Sequence, residues 1–325
     1  MSRLLSGKSL TRIIGILLLI IILFFLDLES IYKNLSELRL KYLFPAILFI
    51  IPVYIVKSFR WHFLLKKQKI FYRLKDAFLA FTSANFIAFI TPGRLGEIAK
   101  AYHVKKDLGL PLFKTIPSVI LDRIFDVYFL ALFSFIGIFT LSLSNNIRVG
   151  SFIVITILVV IPLFLTRRKV LLRLMKFFFS GKLFNKASDN ILDFTEGLLK
   201  EFDSFKFIDI LIAFMLTGLA YLSLFFSAYM ISLSMHLNFS LLTISSFVAI
   251  GNIISFIPVS ISGLGTREAV FIYLFSLFDI NPEVAVIFSV TLFFVFFVFG
   301  GGVGYICFLI KPLGVEIQSL KKSSP

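Results

Sequence analysis

The chain has 325 residues, of which 58% are hydrophobic and only 16% charged, with 43 phenylalanines. Ordinary soluble domains carry about 25% charged residues, so this composition cannot cover a water-soluble globule of such size and excludes a soluble enzyme. A polytopic membrane protein remains. The net charge of +15 would suggest nucleic acid in a soluble chain, but no zinc spacing or aromatic-basic module accompanies it. Cytoplasmic loops of membrane proteins collect Lys and Arg, which accounts for the excess without a polyanionic partner. The single Cys307 lies in an apolar run and supports no disulfide framework.

Arg3, Lys8 and Arg12 precede the apolar run Ile13 to Leu26. No A-x-A-like cleavage site follows in Phe24-Phe25-Leu26-Asp27, so the run is expected to be a retained first span. Further spans are expected at Tyr42 to Leu65, Ser118 to Leu143, Val149 to Thr166, Phe207 to Met235 and Val284 to Ile310. Each has about 18 residues or more, enough to cross ~30 Å of hydrocarbon.

Two segments read differently. Ala77 to Gly93 contains Thr82, Ser83, Asn85 and Thr91 and ends in Pro92-Gly93, with Arg94 and Glu97 close behind. Leu237 to Gly265 contains Asn252, Pro258, Gly263 and Gly265, then Arg267 and Glu268, then a short apolar run before Asp279. Pro and Gly interrupt helices, and freed backbone groups survive at membrane depth only against protein or a water-filled cavity. Both segments are therefore expected to be re-entrant hairpins. With six full spans, that topology gathers the N-terminus, Lys57 to Lys75, Lys100 to Lys114, the loop 167–206 and the C-terminus on one face. That face carries 26 basic residues against four on the other, Lys33, Arg39, Lys41 and Arg148. The positive-inside rule makes it cytoplasmic, with both chain termini, and places the protein in the cell membrane.

Aligned, the hairpins repeat one order: Asn85 or Asn252, an apolar turn, Pro92 or Pro258, then Gly93-Arg94-Leu95-Gly96-Glu97 or Gly263-Leu264-Gly265-Thr266-Arg267-Glu268. Each hairpin follows two spans and precedes one. The expected fold is an all-α polytopic integral membrane protein of about six transmembrane helices plus two re-entrant hairpins. They form an inverted-topology repeat with halves 1–145 and 147–312. Two unrelated kinked helices are the simpler alternative.

Charge at mid-bilayer costs ~2.5 to 3.5 kcal/mol, so Arg94, Glu97, Asp122, Arg123, Asp126, Arg267 and Glu268 need partners or water. Asp122 and Asp126 share a face of their helix, with Arg123 about 100° around it. These three either pin the hairpins by pairing with Arg94 or Arg267, or serve a site. Arg94 and Arg267, with exposed glycine amides of Gly93, Gly96, Gly263 and Gly265, are expected to hold an anionic head group such as a phosphate. Asn85, Pro92 and Asn252 belong to the same candidate site. Glu97 and Glu268 would orient the arginines, bind a cationic head group, or carry a coupling proton. His62, His103 and His236 are dispersed without metal spacing, and no cofactor, nucleophile elbow or P-loop is indicated. Gly300, Gly301, Gly302 and Gly304 read as a helix-packing face. Leu171, Leu172, Leu174, Met175, Phe177 and Phe178 read either as an amphipathic interfacial helix on anionic lipid or as a plain loop helix. Trp61 reads as an interface anchor.

The Pro92-Gly93-Arg94-Leu95-Gly96-Glu97 core, the Asp122-Arg123 pair with Asp126, and Gly263-Leu264-Gly265-Thr266-Arg267-Glu268-Ala269 together resemble the lysylphosphatidylglycerol synthase transmembrane region family. This is also called the flippase-like domain or UPF0104 family, and the resemblance covers essentially the whole chain as one domain, 1–325. In the family's best-known members this domain is fused to a cytosolic aminoacyl transferase and is implicated in moving aminoacylated phosphatidylglycerol between leaflets. The family often has Glu-Arg where Asp122-Arg123 stands here. About 15 residues follow the last span, so a stand-alone form without lysyl transfer is expected.

The resemblance implies a lipid flippase or transporter that is not an enzyme, moving an anionic or aminoacylated phospholipid or a lipid-linked intermediate. The alternative is a membrane-embedded transferase or accessory subunit acting on polyprenyl-linked or phospholipid substrates, with Asp122 and Asp126 as its paired carboxylates. A scaffold would make the charge cluster dispensable. Expected partners are a membrane lipid or lipid-linked substrate and an anionic lipid surface. A homo-oligomer or a separate enzyme would be the protein partner, and nucleic acid none.

Overall fold

The computed structural model describes residues 26–89, 91, 94–141, 204–256 and 263–313, together with 145, 148–150, 152–153, 156–157 and 200. The expected first span, most of the fourth, the amphipathic segment of loop 167–206, and Pro92, Gly93 and Pro258 lie outside these residues. Among the described residues every regular element is helical.

Helix α1 (Leu28–Ser36) starts at Asp27, whose carboxylate accepts hydrogen bonds from the Glu29 and Ser30 amides. Helices α2 (Leu40–Leu48) and α3 (Ile50–Lys67) continue as one apolar rod of 28 residues. Helix α6 (Leu112–Thr140) is as long but carries Asp122, Arg123 and Asp126 near its middle. Helix α7 (Phe207–Ser234) has 28 residues. The last rod joins α10 (Pro282–Phe294) to α11 (Gly301–Ile310) through a π-helical turn at Val295–Gly300. The α2–α3 rod, α7 and the α10–α11 rod are each long and apolar enough to cross a bilayer. The chain is thus a multi-pass membrane protein of helical class.

Between the rods lie two pairs of shorter helices. The first is α4 (Leu74–Phe89), a 3-10 turn at Leu95–Ile98, and α5 (Ala99–Leu108). The second is α8 (Leu241–Phe256) and α9 (Thr266–Ser276). The described parts of α4 and α8 have sixteen residues each, about 24 Å of helix. Each pair is a hairpin that returns to the end it came from. In the first, Lys311 bonds both Asp76 at the start of α4 and Asp107 at the end of α5. In the second, the ring of Phe239 before α8 lies 5.1 Å from that of Phe278 after α9.

The hairpins open at opposite ends of the bundle. Lys67 and Asp209 meet 2.6 Å apart at the end that holds Asp76, whereas the Arg39 amide bonds the Ser234 carbonyl at the end that holds Phe239. The long helices then pack crosswise onto them. Gly304 of α11 lies so close to α4 that an added Cβ would stand 2.8 Å from the Thr82 carbonyl oxygen and from Phe86 Cβ. Gly137 of α6 approaches Ser246 of α8 just as closely, at 2.6 Å from its Cβ. In a membrane, where burial from lipid adds little, such close backbone approach at small residues supplies much of the packing energy. The fully buried Ala77, Ala80, Ala84 and Ala88 along α4 serve the same end. So does the glycine face expected around Gly304, although Gly302 meets nothing within 4 Å.

Candidate functional site

Arg94 sits at the tip of the first hairpin in the left-handed conformation, with φ of 56°. A non-glycine residue there costs roughly 1–2 kcal/mol, a strain that is held by what the turn aims. Here the guanidinium is turned back onto the hairpin, its Nη2 donating to Asn85 Oδ1 at 2.8 Å. The amide of Asn85 in turn donates to the Phe81 carbonyl. Glu97, three residues on, lies 3.4 Å from Arg94, accepts from Lys100 Nζ at 3.2 Å, and pairs with Arg123.

Lys100 links this tip to a second cluster. Its ammonium, sealed from solvent, donates to Asp122 Oδ2 at 2.7 Å and lies 4.8 Å from the centre of the Phe81 ring. Arg60 of α3 donates to Asp122 Oδ1, to Asp126 Oδ1 at 2.9 Å, and to the Thr217 hydroxyl of α7 at 2.6 Å. Lys57, one turn before Arg60, bonds the other Asp126 oxygen at 2.9 Å and faces the ring of Tyr221 at 4.3 Å. Asp122 and Asp126 therefore tie α3, α5 and α6 into one unit. Their partners are these three cations; Arg94 and Arg267, the partners expected from sequence, make no salt bridge with them among the described residues. Charged hydrogen bonds of this length satisfy both carboxylates in a setting where bare ions would be expelled.

The second hairpin is simpler. The Arg267 guanidinium donates through Nε to Ser289 Oγ and through Nη2 to Glu268 Oε1 and the Ser289 carbonyl. Ser289 donates onward to Glu268. The other Glu268 oxygen accepts from the Gly265 amide at 2.6 Å, capping α9. Gly263 has φ of +79°, and a side chain there would strike Ser255.

The two tips meet at one cavity of ≈ 110 Å³, lined by Asn85 and Arg94 from the first hairpin, Asn252 and Arg267 from the second, and Lys57 from α3. Phe89, Phe293 and Phe296 form part of its apolar wall. The cavity thus offers three cationic groups beside an aromatic surface, the chemistry of an anionic head group attached to hydrocarbon. Glu97, Asp122, Arg123, Asp126 and Glu268 stand behind this lining as its support.

Three sequence expectations change. The amides of Gly96 and Gly265 are not exposed to a ligand, because Thr91 Oγ1 and Glu268 already accept from them. Trp61 is no interface anchor; it is fully buried and its indole donates to Ser118. Lys57, Arg60 and Lys100, assigned to cytoplasmic loops with the other basic residues, are instead drawn into the buried network, Arg60 and Lys100 with no exposure at all. One signal pointed to this: Lys57 and Arg60 follow Tyr54 at intervals of three, which puts all of them on one face of an otherwise apolar helix.

Comparison with known proteins places the chain in a membrane-protein family. Over 319 residues the chain is 25% identical to a UPF0104 membrane protein of Methanocaldococcus jannaschii, covering 94% of this chain and 95% of that protein. The profile of the lysylphosphatidylglycerol synthase TM region matches residues 12–304, nearly the whole length. On that match, the chain belongs to the lysylphosphatidylglycerol synthase TM region family.

Proposed function

We propose that the protein is a lipid flippase or transporter that binds a head group between the two hairpin tips. The observation that carries this reading is the shared cavity, with Arg94 and Asn85 supplied by one hairpin and Arg267 and Asn252 by the other. A binding site at the contact of two repeats is how many secondary transporters are built. The opposite openings of the hairpins and the crosswise packing of α6 on α8 and α11 on α4 support an inverted repeat of residues 1–145 and 147–312. Rocking of one half against the other would expose the cavity to each leaflet in turn. The family description, which names a phospholipid synthase, fits a lipid substrate.

In this reading the basic end, with Lys66, Lys69, Lys105 and Lys106, faces the cytoplasm of a cell membrane. The transferase alternative draws no support from Asp122 and Asp126, since a general base needs a carboxylate free to take a proton and both are held by cations. The test is head-group translocation in reconstituted vesicles. Arg94→Ala and Arg267→Ala are expected to abolish it; because Arg267→Ala strands the buried Glu268, the unfolding midpoint of each variant is measured alongside, and unchanged translocation in both would refute the site.

A further inference from the structure

Gly300, Gly301, Gly302 and Gly304 follow one another where the last rod passes the cavity, and close packing accounts for two of them. An added Cβ at Gly300 would stand 2.3 Å from the Tyr54 hydroxyl oxygen, and one at Gly304 would stand 2.8 Å from the Thr82 carbonyl oxygen. At Gly301 the nearest neighbour is the Phe89 ring at 3.8 Å, an ordinary contact, and at Gly302 nothing lies within 4 Å. Both of these positions accept a methyl group. What glycine brings to them is backbone freedom, since it holds a helix interior less firmly than alanine does. They directly follow the π-helical turn Val295–Gly300, which already interrupts the α-helical bonding of the rod. Turns of this kind are where long helices kink. Helix α6, the counterpart of this rod in the proposed repeat, runs from Leu112 to Thr140 as one α-helix, and its Gly137 is a packing glycine against Ser246.

The two sides of the break grip different hairpins. On α10, Ser289 bonds Arg267 and Glu268 of the second hairpin, and the Phe288 ring lies 5.3 Å from those of Phe271 and Phe275. On α11, Gly304 lies against Thr82 and Phe86 of the first hairpin, and the Tyr305 ring is 5.4 Å from that of Phe86. Just beyond α11, Lys311 bonds Asp76 and Asp107 of the same hairpin. The cavity lies at the level of the break: Phe293 and Phe296 line it from the rod, and Tyr54 lines it from α3 while resting on Gly300. We infer that the segment Val295 to Gly302 is the hinge on which the first hairpin, carried by α11, turns relative to the second, carried by α10. This rests on the alternating exposure proposed above and names the device that performs it. Bending there parts Arg94 from Arg267 and opens their shared cavity, while Arg94 keeps Asn85 and Arg267 keeps Ser289. A head group that touches both arginines favours the closed form and so biases the hinge.

The double variant Gly301→Ala/Gly302→Ala tests this, because both methyl groups fit and each alanine favours the helical form described here by about fivefold. The full-length chain is reconstituted in dioleoyl phosphatidylcholine vesicles with a tracer of fluorescent phosphatidylglycerol. Translocation of the tracer is expected to fall about tenfold or more, with the unfolding midpoint unchanged or raised and phosphatidylglycerol affinity within about twofold of wild type. Wild-type translocation by the folded double variant would overturn the hinge. A second measurement reads the bend itself. With Cys307→Ser in place, spin labels at Val290 and Ile306, both exposed, sit on either side of the break. Two distances are expected in the otherwise wild-type chain, collapsing toward one when phosphatidylglycerol is added and in the alanine variant. One unchanging distance in the otherwise wild-type chain would overturn the hinge whatever the stability of the variant. Two exchanging distances without lipid movement would refute transport alone, and lipid movement with one fixed distance would refute the hinge alone.

Discussion

Arg60 and Asp122 meet at 2.7 Å with neither side chain reachable by solvent, and 62 residues of sequence separate them. Breaking a buried ion pair strands the remaining charge, at a cost of about 3–5 kcal/mol. Arg60→Met is therefore expected to destabilise strongly, since it takes a partner from both Asp122 and Asp126. Asp122→Asn should approach it, as Lys100 also loses its carboxylate. Thermal unfolding in detergent checks both, and a midpoint within a degree or so of wild type would be incompatible with the network.

Two glycine substitutions separate close packing from free space. An added Cβ at Gly96 would stand 2.6 Å from the Ile87 carbonyl carbon and oxygen, backbone atoms that cannot rotate away. Gly96→Ala is expected to cost at least about 1–3 kcal/mol. At Gly302 nothing lies within 4 Å, so Gly302→Ala should be neutral or stabilise helix α11 by about 0.5–1 kcal/mol. Unfolding midpoints of the two single variants, measured side by side, decide this.

At the basic end, Lys311 closes the bundle by bonding Asp107 at 2.6 Å and Asp76 at 2.7 Å, while Tyr72 donates to Asp107. Burial pushes the Asp107 carboxyl up, but the hydrogen bonds from Lys311 and Tyr72 outweigh it and hold it below its ordinary 3.8. Burial lowers the Lys311 ammonium, and its bonds to Asp107 and Asp76 more than reverse this, leaving it above its ordinary 10.5. The Asp107 contribution to stability is thus present above pH 3.8 and lost as acid protonates it. The Lys311 contribution is present below pH 10.5 and lost as alkali removes its proton. The latch should leave stability flat across neutral pH, and Lys311→Met should lower the unfolding midpoint there and reduce the alkaline decline.

Topology has its own readout. With Cys307 replaced, single cysteines at the exposed positions Lys69 and Lys105 should react with an impermeant thiol reagent only from the cytoplasmic side. Cysteines at Asn238 and Asp279, also exposed, should react only from outside. Labelling of all four from one side would contradict the opposed hairpins.

Much of this arrangement is legible from local sequence. Asn, Pro and Gly inside short apolar runs marked both hairpins, because a broken helix at membrane depth needs a polar lining. The matching order around Arg94 and Arg267 indicated that the two tips share a site, and both line one cavity. The network behind them was hidden. Lys57, Arg60 and Lys100 lie near the ends of apolar runs, where basic residues ordinarily mark the cytoplasmic face. Only the fold brings Asp122 and Asp126 against them, through contacts that skip 22 to 69 positions. Ser289 and Thr217 carried no signal either, since a lone hydroxyl in an apolar helix usually bonds its own backbone; here they receive guanidinium donors.

The central claim is that a lipid head group occupies the space between the hairpin tips. A density map of the full chain in nanodiscs of phosphatidic acid and phosphatidylglycerol tests it most directly. The predicted result is a phosphate within hydrogen-bond reach of both Arg94 and Arg267, its hydrocarbon running along Phe89 and Phe293. Lipid resolved only on the outer surface of the bundle, with the cavity closed by side chains, would contradict it.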